Sequence, residues 1–111
     1  MVKKKKLRIR WDEKAWDNLN RIYDYIALDS VAAARYVKTE LVRLAGSLND
    51  FPEKYPKDEF LKDMPENYRF VSKWSYKIIF EVESDYIIIV AIFHTSQNPK
   101  KIRIIKDKHD S

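Results

Sequence analysis

Apolar and polar residues alternate at the start of the chain: Leu7, Ile9 and Trp11 are interleaved with Lys6, Arg8 and Arg10. A period of two predicts a half-buried strand, here with a wholly basic outer face. The period then lengthens. Trp16, Leu19, Ile22, Tyr23 and Ile26 stand three and four apart, the stripe of an amphipathic helix expected from about Glu13 to Leu28. Asp12 sits at its N-cap and Glu13 in its first turn, where the helix dipole favours acids. Asp29 or Ser30 caps a second helix, whose stripe is Val31, Ala34, Val37, Leu41, Leu44, Ala45 and Leu48. It ends near Asn49, and Pro52 forbids its continuation. So short a break between two helices implies an antiparallel hairpin. Trp16 and Tyr23 are read as core residues; Tyr25, Tyr36 and Trp74 are the aromatics expected nearer a surface that meets a partner.

Residues 50–67 contain Pro52, Pro56 and Pro65 among scattered charges. They are expected as a long loop with one irregular turn near Phe60 and Leu61, and loops of that length are often functional. Period two returns at Tyr68. Phe70, Ser72 and Trp74 alternate with Arg69, Val71 and Lys73; Tyr76, Ile78, Phe80 and Val82 alternate with Lys77, Ile79, Glu81 and Glu83. Ser84 and Asp85 mark a turn. Tyr86 to Phe93 is apolar throughout, which predicts a strand buried on both faces at the centre of a sheet. Residues 102–105 could add a short strand before a charged tail.

The order β-α-α-β-β-β describes an α+β fold: an N-terminal helical hairpin packed on one face of a mainly antiparallel, twisted sheet. A length of 111 residues fits one domain with one substantial core. Residues 1–111 are therefore expected as a single domain, with 1–5 and 106–111 as mobile ends.

Composition removes whole classes of function. One glycine and no cysteine exclude glycine-rich phosphate loops, disulfides, thiolate catalysis and cysteine-based zinc sites. The two histidines lack ligand spacing, so no metal and no cofactor is expected. The serines stand in no nucleophile motif. The charged start is unlike a signal peptide, and the longest apolar run is too short to span a bilayer, so a soluble cytoplasmic protein without membrane contact is expected. The net charge is +5. Residues 1–28 carry eight Lys/Arg against four acids, 29–67 six against eight, and 68–111 eight against five. Such charge favours encounters with nucleic acid or an acidic protein, and it also simply keeps a small domain soluble. The Lys3–Lys6 run reads either as a nucleic-acid arm or as a solvated terminus.

Several local features occur in a fixed order. Leu48-Asn49-Asp50-Phe51-Pro52 follows the helical hairpin, and Arg69 opens the second strand. Tyr76-Lys77-Ile78-Ile79-Phe80 comes seven residues later, an acidic turn follows, and an apolar strand ends in His94-Thr95-Ser96-Gln97-Asn98-Pro99. From about Ile9 to Lys101 this set resembles the RelE/ParE superfamily of toxins from bacterial type II toxin–antitoxin systems. The resemblance implies a toxin wrapped and silenced by a cognate antitoxin. RelE-like members cleave messenger RNA in the ribosome, and ParE-like members poison DNA gyrase without nuclease residues.

Metal-independent RNA cleavage by the 2′-hydroxyl needs a base, an acid and cations around one phosphate. Arg69, Lys77 and His94 are the candidate catalytic set, histidine being suited to either proton role near neutral pH. Lys73, Gln97 and Asn98 are the candidate contacts to the target or to nucleic acid. Each has a structural reading beside the functional one. Lys73 and Lys77 could be a solvated sheet face, Arg69 an edge or ion-pair residue, and His94 a cap for the loop backbone. No tyrosine follows Asn98, which departs from active RelE-type nucleases and favours the ParE side. A ParE-like gyrase inhibitor is thus the first expectation, a RelE-like ribonuclease the second, and a nucleic-acid-binding module the most remote. An apolar groove left by the hairpin and long loop should bind the antitoxin, and it could form a homodimer in the isolated protein.

Overall fold

The computed structural model describes residues 6–96. Strand β1 (Arg8–Trp11) leads into helices α1 (Glu13–Ala27) and α2 (Val31–Gly46), and then come β2 (Tyr68–Lys73), β3 (Tyr76–Val82) and β4 (Tyr86–His94). The four strands form one sheet in the order β1-β4-β3-β2. The three later strands are antiparallel neighbours, and β1 runs parallel to β4. This is the expected α+β architecture, with the apolar run Tyr86–Phe93 in an interior strand.

Local chemistry sets the helix ends. Asp12 accepts from the Lys14 N–H at 2.8 Å, and Ser30, the second of the two candidate caps, accepts from the Ala33 N–H at 3.1 Å. The first helix stops at Ala27, one residue before the expected Leu28, and the second at Gly46, before Leu48, the last position of its apolar stripe. Ala15 and Leu19 of α1 and Leu41 and Ala45 of α2 are buried with Ile78, Phe80, Ile87, Ile89 and Ile92. That cluster is the main core, between the hairpin and one sheet face. Trp16 is 41% exposed, so it is not the core residue its place in the stripe implies; Trp11 meets its edge at 5.1 Å and Lys38 lies over its ring.

The other sheet face is buried too. Leu61 from the long loop packs with Tyr68, Ile79, Val90 and Ala91, and Met64 joins from the side. The loop reaches that face by wrapping the outer edge of β2. A 3-10 turn at Pro52–Lys54 lies on the helix side, where Tyr55 meets Phe80 edge-on at 5.7 Å. Pro56 O then accepts from Phe70 N and Asp58 N donates to Tyr68 O, at 3.1 and 3.0 Å. These bonds occupy part of an edge that would otherwise expose unpaired backbone groups.

Two details depart from simple alternation. Trp74 belongs to the β2–β3 turn and not to a strand, and its φ of 55° is the left-handed conformation. A register shift between Ile79 and Phe80 leaves Val90 opposite no single partner, so that Val90 and Ala91, consecutive in β4, both pack in the loop-face core. The short strand expected at 102–105 lies outside the described residues.

Candidate functional site

The candidate residues sit on three adjacent strands, and pairing register assigns each to a face. Directly paired residues of neighbouring strands share a face. Arg69 pairs with Phe80, and Lys73 with Tyr76, which pairs in turn with His94; these belong to the helix face. Lys77 pairs with Ser72 and Phe93 and points to the loop face.

Lys77 is committed to the loop. Its Nζ lies 2.7 Å from Oδ2 of Asp58, whose side chain is fully buried. The contact is a close ion pair and not a well-directed hydrogen bond. The ammonium also lies over the Phe70 ring at 4.3 Å and the Phe60 ring at 5.5 Å. Asp58 uses its other oxygen to accept from the Phe60 N–H at 2.9 Å, an Asx turn that shapes the loop.

Arg69 reaches outward along the same loop. Its guanidinium donates to the backbone carbonyl of Tyr55 at 2.6 Å and to that of Glu53 at 3.3 Å. Two loop carbonyls are thereby satisfied by one strand residue.

Lys73 and His94 share the far end of the helix face. Lys73 pairs with Glu40 of α2 at 3.3 Å and lies 4.9 Å from the Trp74 ring centroid. Trp74 meets Tyr36 at 6.0 Å, and both are exposed. The His94 ring stands edge-on to Tyr76 at 5.5 Å, and its Nδ1 accepts from the Ser96 N–H at 3.1 Å. Gln97 and Asn98 lie outside the described residues. So Lys73, Tyr76 and His94 come together, whereas Lys77 is on the opposite face. Arg69 is four strand positions from Lys73, about 13 Å away.

Two residues outside the family-like motifs prove structurally central. Asp58 is the buried partner of Lys77, and no sequence signal marked it. Glu81 is nearly buried. Burial pushes its carboxyl up to about 8, and Glu83, which is hydrogen-bonded to it, and Glu66 push the same way. An acid between Phe80 and Val82 was the visible sign. Among the described residues, no group of three His, Cys, Asp or Glu side chains is arranged to hold a metal, and no helix is long and apolar enough to cross a membrane.

The helical hairpin on a four-stranded sheet with one parallel edge defines the class: an α+β protein of the RelE/ParE type. Residues 9–99 match the family model of the ParE toxin of the type II toxin–antitoxin system parDE. The chain belongs to that family and is a toxin of a type II system, with a cognate antitoxin as partner. Its fold is similar to a solved chain of the chromosomal ParDE system from P. aeruginosa, with a TM-score of 0.65 and 22% identity over 79% of this chain and 95% of that one. No curated protein matches significantly.

Proposed function

We propose that the free toxin acts as a ParE-like inhibitor of DNA gyrase and has no ribonuclease activity. The observation that carries this reading is the scattering of the candidate nuclease set. Transition-state stabilisation requires an acid, a base and cations within hydrogen-bond reach of one phosphate. Here Lys77 serves a buried aspartate on one face while Arg69 and His94 lie on the other, several strand positions apart. A protein that works by binding needs no such convergence.

Exposed apolar side chains supply the binding surface. Tyr25 and Leu28 at the end of α1 are 78% and 86% exposed, and Val31, Tyr36 and Trp74 are also open. Exposed apolar patches mark protein interfaces. It suits the antitoxin, and in its absence a second copy of the toxin.

The test is expression from a tight promoter, followed by mapping of messenger RNA ends and assay of gyrase in parallel. Intact messages together with DNA breaks trapped on gyrase are expected. New cuts on translated messages with normal supercoiling would overturn the proposal.

A further inference from the structure

Several acids of this basic chain gather at one cleft. Where β1 begins, the segment after α2 and the β3–β4 turn enclose a cleft of about 450 Å³. Leu7 and Val82 give it apolar walls, and Phe51 stands beside them. Among the described residues, four carboxylates line it, those of Asp50, Glu53, Glu83 and Asp85, and one cation, Lys6. The net charge of the chain is +5, so the local balance runs against the global one.

None of these acids forms an ion pair among the described residues. The ion pairs among the described residues join Arg43 and Lys73 to Glu40, and Lys77 to Asp58. None involves the cleft. Asp50, Glu53 and Asp85 are exposed, and the carboxyl partner of Glu83 is another acid, Glu81. Like charges gathered around one opening repel each other, and a cation entering it would relieve that repulsion.

The chemistry of the occupant follows from the lining. A nucleic acid has the wrong charge sign for these carboxylates. A bare metal ion does not need apolar walls, and no metal-holding group is present among the described residues. A lysine or arginine side chain fits both features. Its methylene stem packs on apolar surface while its charged head meets carboxylates, and an aromatic ring at the site adds a cation–π contact. The volume is near the lower end of the range for ligand pockets, roughly 300–1,000 Å³, which suits side chains and not a folded domain.

We propose that this cleft receives a basic segment of a protein partner, with an arginine or lysine flanked by apolar residues. None of the nuclease candidates lines the cleft, although Arg69 holds the backbone carbonyl of its lining residue Glu53, and the proposal does not depend on gyrase being the target.

The probe is a dye-labelled heptapeptide alternating arginine and leucine, titrated onto the full chain and read by fluorescence anisotropy. Saturable one-to-one binding that weakens with salt is expected. The double variant Asp50→Asn/Asp85→Asn should bind roughly two- to thirtyfold more weakly, the range for two rim ion pairs, with unchanged thermal unfolding. The control Asp24→Asn/Asp29→Asn, on the helical hairpin, should bind as the parent does. Equal binding of a glutamate–leucine peptide, or equal affinity in the cleft variant and the parent, would overturn the proposal. So would binding that appears only in Lys3→Gln/Lys4→Gln/Lys5→Gln, because the chain's own lysines would then be the occupant.

Discussion

The two faces of the sheet are closed by different means. The helix face is covered by regular elements whose apolar residues recur at helical spacing, and its core is aliphatic and aromatic throughout. The loop face is covered by an irregular segment that offers fewer apolar side chains, chiefly Leu61 and Met64. That segment is held by polar fasteners: Lys77 to Asp58, Arg69 to two carbonyls, and backbone bonds along the β2 edge. Helices satisfy their own backbone groups and can be stuck down by apolar contact alone. A loop cannot, so its carbonyls and N–H groups must find partners on the sheet. Two of the cations that looked catalytic in the sequence are those partners.

The sharpest way to break this comparison is to remove a fastener. Asp58 is buried with one charged partner, and deleting that partner leaves an uncompensated charge. Lys77→Ala is expected to cost about 3–5 kcal/mol, measured by urea unfolding, with the damage centred on the loop. A change under about 1 kcal/mol would mean that the pair behaves as an exposed one. Replacing both residues with apolar ones of similar volume should cost far less than Lys77→Ala alone.

Arg69 comes next. Hydrogen bonds from a charged donor contribute about 1.5–3 kcal/mol, so Arg69→Ala should destabilise by about that amount. Hydrogen exchange should speed up selectively at the amides of residues 53–58, with α1 and α2 protected as before. If loss of Arg69 abolished toxicity while stability and loop protection stayed intact, Arg69 would contact the target and would not be a fastener.

The sequence was legible where a single period dominates. The stripe of α1, the cap at Asp12, the second cap narrowed to Asp29 or Ser30, and the apolar run Tyr86–Phe93 of β4 each follow from spacing and side-chain chemistry. The long loop was harder to read because its order comes from contacts far apart in sequence: Asp58 with Lys77, Arg69 with Glu53 and Tyr55. No periodicity records such pairs. Lys77 fits the alternation of β3 as well as a solvated lysine would, and only the three-dimensional neighbour shows that it is an anchor. Alternation also continues through Trp74, whereas its left-handed φ ends the strand before it. The candidate site failed to converge for the same reason. A list of cations along two strands says nothing about which face each one takes until register is known.

The effect that nearly vanishes at low pH concerns Glu81, the acid beside the loop-face core. Its folded carboxyl is raised from the usual 4.5 to about 8, first by burial and then by Glu83 and Glu66. Between these two values the folded chain keeps a proton that the unfolded chain has released. Stability from this group is therefore complete below pH 4.5, falls as pH rises, and is fully lost once pH passes about 8. Linkage gives the slope its sign: the state that binds more protons is favoured at low pH. Glu81→Gln keeps the shape and removes the titration. It should flatten this part of the pH profile and raise Tm at pH 8 more than at pH 5. A tenfold difference in proton affinity between the folded and unfolded chains corresponds to about 1.4 kcal/mol, or roughly 6–11 °C for a domain near this size. The same Tm gain at both pH values would show that the carboxyl ionises freely in the folded chain, and that the loop face tolerates charge at a position its packing should exclude.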